Sequence, residues 1–106
     1  DFEGLNMKQF RHGDVIIQQV QTLPKDPEPL PHLILAHGEL TGHAHRVMPA
    51  AGGKLYRGEL GMYLEVKSEG LQVVHEEHAS IVLPPGVYRV WRQREYSPEE
   101  IRIVRD

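Results

Sequence analysis

The chain has 106 residues, 40% of them hydrophobic and 25% charged, with a formal charge of −3 when its histidines are neutral. That size suits one domain with one modest core, and that composition belongs to a folded chain. The acidic balance excludes a broad electrostatic hold on extended nucleic acid, the absence of cysteine excludes disulfides and thiolate chemistry, and no apolar run approaches the ~20 residues that span a bilayer.

Without a signal-peptide pattern the chain reads as cytoplasmic. Asp1 to Asn6 precede Met7 and read as a leading segment foreign to the fold, which leaves residues 7–106 as a single β domain. Asp14 to Val20 is a β-branched run and reads as the first strand. Leu23 to Pro31 holds four prolines, which argue against a ladder strand or a helix and predict an extended surface connection. Leu30 to His37 is the second predicted strand. Gly38 to Gly42 then reads as a hairpin loop, and His43 to Val47 as the returning strand.

Gly52-Gly53 marks a break. Short strands follow at Leu55-Tyr56, Met62 to Val66, Leu71 to His75 and Ala79 to Leu83, the last closed by Pro84-Pro85-Gly86. From Val87 to Tyr96 the alternation sends Tyr88 and Val90 one way and Val87, Arg89 and Trp91 the other. Ser97 to Glu100 has the pattern of one capped helical turn, and Ile101 to Val104 has strand composition. No three-turn amphipathic helix appears. The expected fold is all-β, a small β-barrel or two-sheet sandwich with at most one short helical turn.

The seven histidines are unevenly placed. Their protonation would carry the charge from −3 towards +4, so solution behaviour should change between about pH 7 and pH 5. His43 and His45 share one face of a strand, roughly 7 Å apart, which lets two imidazoles converge on one ion. An exposed pair beside a turn would show the same spacing. His75-Glu76-Glu77-His78 is the second pair. Positions three apart face opposite sides of a regular strand, so both histidines join one site only through a bulge or a tight turn.

Together the pairs supply His43, His45, His75 and His78 as candidate metal ligands, with Glu76 or Glu77 as oxygen ligand, outer partner or general base. His37 faces the same hairpin and could come close. Arg11-His12-Gly13-Asp14 could line a pocket or form a surface turn. Trp91 to Tyr96 interleaves aromatic and basic residues, as a single-stranded nucleic-acid face or as a half-buried strand.

The Gly38 to His45 segment and the Pro84-Pro85-Gly86 turn resemble the cupin superfamily, small β-barrels that hold a metal through a G-x5-H-x-H-x3-4-E-x6-G motif and a later histidine. Here four residues, not five, separate Gly38 from His43, and no glutamate occurs between Arg46 and Gly53. The chain also resembles a group of small uncharacterised bacterial proteins, through segments like Arg11 to Val15, Gly38 to His45, His75 to His78, Pro85 to Val90 and Gln93 to Tyr96. That resemblance implies a bacterial or phage-type origin and no particular activity.

Three functions fit these residues. The first is a metal-binding β-barrel, a candidate metalloenzyme, holding Zn, Mn, Fe or Ni and acting on a small molecule. The second is a metal-independent nuclease or phosphodiesterase for RNA or a small nucleotide. There His43, His45, His75 and His78 would serve as general acid and base, with Arg46, Arg92 or Arg94 on the phosphate. The third is a non-catalytic homodimeric interaction module.

Overall fold

The computed structural model describes residues 8–37 and 42–93. Among them ten strands form: β1 (Gln9–His12), β2 (Val15–Val20), β3 (Glu28–Pro29), β4 (Ile34–His37), β5 (Ala44–Met48), β6 (Gly53–Gly58), β7 (Gly61–Val66), β8 (Leu71–His75), β9 (His78–Leu83) and β10 (Gly86–Arg92). One 3-10 turn, Ala50–Gly52, joins β5 to β6. No helix among the described residues is long and apolar enough to cross a membrane.

The strands make two antiparallel sheets, one ordered β1-β2-β10-β7-β6-β3 and the other β4-β5-β8-β9. No ladder joins the sheet edges among the described residues, so the fold is a two-sheet sandwich and the barrel alternative falls away. The interior follows from alternation. Val15, Ile17, Leu55, Leu64, Val66, Tyr88 and Val90 point inward from the larger sheet. Leu35, Ala36, Val47, Leu71, Val73 and Leu83 meet them from the smaller one. Each is at most 8% exposed, and a fully buried Val or Leu contributes about 1.5–3 kcal/mol.

Several expectations change. The segment before Asp14 is itself a strand, β1, hairpinned to β2 with His12 opposite Val15. Gln9 to His12 shows one apolar residue, Phe10, so its alternation becomes visible only once His12 counts as inward-facing. The proline-rich connection contributes Glu28–Pro29, which pairs with Arg57 and Tyr56 of β6. Pro29 is tolerated there because β3 is the outer strand of its sheet. At the β4–β5 hairpin the register sets His37 opposite Ala44 and Ala36 opposite His45. The predicted helical turn at Ser97 to Glu100 and the tail at Ile101 to Val104 lie outside the described residues.

Candidate metal centre

The cluster is an extension of the core. On β5, His45 lies two residues before Val47, and on β8, His75 lies two residues after Val73, so each histidine continues an inward-facing row. Val47 pairs with Val73 and Arg46 with Val74. Carrying that register one step further brings His45 beside His75, with ring centroids 4.4 Å apart.

His78 arrives by a different device. The β8–β9 ladder runs regularly to Val73–Ile81, shifts register, and then pairs His75 with His78. That shift puts the two histidines on one face, as their three-residue spacing requires. Their ring centroids are 4.7 Å apart. One nitrogen from each of His45, His75 and His78 can be chosen so that all three lie within 4.8 Å of one another. Tetrahedral ligands at Zn–N distances near 2.0–2.1 Å stand roughly 3.3 Å apart, so closing on an ion takes small side-chain rotations. His78 is exposed and free to make them.

His12 completes the cluster and is the residue that sequence reasoning assigned no ligand-related role. It is 2% exposed. Its Nε2 lies 2.9 Å from the Ala79 carbonyl oxygen, and its Nδ1 lies 2.8 Å from Nδ1 of His45. A carbonyl only accepts, so Nε2 of His12 carries the proton. Burial lowers the His12 pKa and keeps the ring neutral; the bond to Ala79 opposes this, and His78 and His75 add smaller lowering contributions. Nδ1 of His12 is therefore an acceptor, and Nδ1–H of His45 donates to it. That leaves the Nε2 lone pair of His45 available to a ligand, the arrangement in which an outer partner fixes a ligating imidazole. The His45 pKa is lowered to about 4, first by burial and then by His12 and His75, so the ring is neutral at pH 7, as metal binding needs.

His75 is held differently. The Glu77 amide donates to its Nδ1 at 2.9 Å, so the neutral ring carries its proton on Nε2.

The remaining predicted residues divide. His43 lies beside His75, with ring centroids 5.7 Å apart, and its Nδ1 is 3.7 Å from a Glu77 carboxylate oxygen. His43, His75 and Glu76 form a second triad of donors within 4.8 Å. Glu76 accepts from the Ala44 amide at 3.1 Å and from Arg46 at 2.9 Å. Arg46 first, then backbone donors, hold its pKa down at about 2. Such a carboxylate is a poor proton acceptor near neutrality, so Glu76 clamps the start of β5 and Glu77 is the better candidate base. Arg46 is correspondingly committed to Glu76. His37 is exposed and pairs with Ala44, whose side chain lies opposite to the face of His43 and His45.

Asp14 borders the site, with Oδ1 4.0 Å from Nε2 of His45 and Oδ2 3.2 Å from both Nε and Nη2 of Arg92. Between His12 and Asp14, Gly13 adopts φ +65°, a conformation L side chains rarely accept. Arg94 lies outside the described residues.

Residues 11–93 match the family model described as a domain of unknown function, DUF8820. The chain belongs to the DUF8820 family. The matched span of this DUF8820 domain begins in β1 and ends just past β10, so it contains His12, His43, His45, His75 and His78 together with the core that positions them. No curated protein and no solved structure matches the chain.

Proposed function

We propose that this DUF8820 domain binds one divalent transition metal through His45, His75 and His78 and presents it, with an open coordination position, to a small oxygen-bearing substrate. The observation that carries the reading is the convergence of three imidazoles at the end of the hydrophobic interior. Imidazole donors suit Zn, Fe and Ni better than Mn. Three protein ligands leave room for water or substrate, and a bound divalent ion lowers the pKa of water to about 7 or polarises an oxygen. Glu77, exposed beside His43 and His75, is the proton acceptor.

One cost opposes binding at His75. If the ion takes Nε2, that nitrogen must give up its proton and the Glu77 N–H···Nδ1 bond is lost. A neutral hydrogen bond contributes about 1 kcal/mol, whereas structural zinc sites bind with roughly 10–16 kcal/mol. The ion wins.

Metal analysis of the purified protein tests the reading, beside His45→Ala and His78→Ala variants. About one tightly held ion per chain, held at least about tenfold more weakly by both variants, is the expected result. No ion retained after incubation with Zn, Mn, Fe and Ni followed by desalting would refute it.

The tautomers favour one alternative. His45 offers a bare Nε2 and His75 an Nε2–H, a base and an acid in one cluster, as cleavage of a phosphodiester through its own 2′-hydroxyl requires. With its pKa near 4, His45 is a weak base at neutral pH, which ranks this reading second. Turnover of RNA or a small nucleotide that survives excess chelator would select it.

A further inference from the structure

His75 belongs to both donor sets: His45 and His78 on one hand, His43 and Glu76 on the other. A neutral imidazole has one in-plane lone pair, on one nitrogen. It can serve one ion at a time. We infer, building on the metal-binding reading above, that the chain holds a single ion in either of two mutually exclusive positions that share His75. The His45–His75–His78 position is the resting one, and the His43–His75–Glu76 position is the alternate.

The ranking follows from the neighbours. The resting position offers three imidazoles, with His45 oriented by His12. The alternate position replaces one imidazole by a carboxylate whose two oxygens already accept hydrogen bonds, from Ala44 and from Arg46. The Arg46 guanidinium, 2.9 Å from that carboxylate, repels an arriving cation. Glu77 partly offsets this, 3.7 Å from His43. The alternate position is thus weaker but built. An ion there has a softer hold and a different donor set, which suits handing it to or from an outside ligand.

Two independent rows position the sets. His43 and His45 lie on one face of the β5 end of the chain, two residues apart. His75 stands beside both, with ring centroids 5.7 Å from His43 and 4.4 Å from His45. His78 is joined to His75 across the β8–β9 bulge. Moving the ion from one position to the other exchanges His45 and His78 for His43 and Glu76 while His75 keeps its place in the ladder.

A double-mutant cycle with Co2+ tests this, because its absorption reports the donor set and its titration reports stoichiometry. Wild type, His43→Ala, His78→Ala and the double variant are titrated, with apo thermal unfolding as the folding control. Asparagine at either position repeats the cycle should an alanine variant fold poorly. The expected result has four parts. Wild type binds one Co2+ per chain. His43→Ala alone changes affinity within about twofold. His78→Ala weakens binding at least about tenfold and alters the spectrum as oxygen replaces nitrogen. Adding His43→Ala to His78→Ala then weakens it at least about tenfold more.

Equal effects of His43→Ala in both backgrounds, or none in either, would overturn the inference, as would two ions per wild-type chain. Absence of Co2+ binding by the wild type would instead overturn the metal-binding reading itself.

Discussion

A Cβ on Gly13 would stand 2.9 Å from Nε2 of His78 and 3.0 Å from Cε1 of His45, at a backbone φ of +65°. Substitution there separates folding from site assembly. Alanine in the left-handed region costs about 1–2 kcal/mol, whereas asparagine visits that region more readily. At about 4–8 °C per kcal/mol for a domain of this size, Gly13→Ala should lower the apo Tm by roughly 4–15 °C and Gly13→Asn by only a few degrees.

The clash adds little to that, because its main partner is the tip of an exposed side chain, and His78 can swing aside. Buried His45 cannot. The substitution therefore lands on metal geometry: both variants carry a Cβ, so both displace His78. Zn2+ at 100 times its Kd should stabilise the wild type by about 2.7 kcal/mol, a Tm rise of roughly 10–20 °C. Thermal unfolding followed by circular dichroism, at fixed free Zn2+, compares the three proteins. Gly13→Asn should keep a near-wild-type apo Tm and lose most of the Zn2+ shift. A full shift in both variants would refute the reasoning, since the space beside Gly13 would then be irrelevant to the ion.

Three further outcomes are expected. The His45 pKa is near 4 in the fold and near 6.5 unfolded, so between these values the unfolded chain binds more protons. The contribution of His45 to the stability of the metal-free protein is complete above pH 6.5 and is lost as pH falls towards 4, by on the order of 3 kcal/mol in all. Urea midpoints at pH 7.5, 6 and 5 check this, and His45→Asn should flatten the slope. His12→Phe keeps an aromatic ring but strips Nδ1–H of His45 of its acceptor. It should cost about 1–3 kcal/mol and weaken Zn2+ about 10–100-fold, read by chelator competition. Arg46→Gln should raise the Glu76 pKa from about 2 towards the ordinary carboxylate range. The stability that the pair adds above the ordinary carboxylate range, and that the wild type loses only as pH falls towards 2, would be absent from the variant; NMR titration of Glu76 in both proteins measures the shift.

Much of the sandwich was legible because it is written locally. The Tyr88–Val90 and Val87–Arg89–Trp91 alternation, the Pro84-Pro85-Gly86 turn and the β-branched run after Asp14 each mark a strand or its end without reference to the rest of the chain. The condition on His75 and His78 was legible too: their spacing demanded a bulge or tight turn, and the ladder shifts register between Val73 and His75. His12 was not. Its role depends on β1 and β9 lying side by side at the edges of different sheets, so that Nε2 reaches Ala79, 67 residues away. Nor could the sequence show that Arg46 disarms Glu76 as a base, because that pairing needs the ends of β5 and β8 to be neighbours. Glu28–Pro29 was hidden for a similar reason, since whether proline fits a strand depends on that strand being outermost.

The two rows that run Val47–His45 and Val73–His75 also make the cluster a gauge of correct folding. Side chains alternate across a sheet, so sliding β8 against β5 by one residue would turn its oily face and its imidazole outward together. A chain mispaired in that way would lose its dry interior and its grip on an ion in the same step. Metal uptake during refolding would then count the molecules whose sheets have settled into native alignment, and spectrally silent Zn2+ could be exchanged for Co2+ to watch them do so.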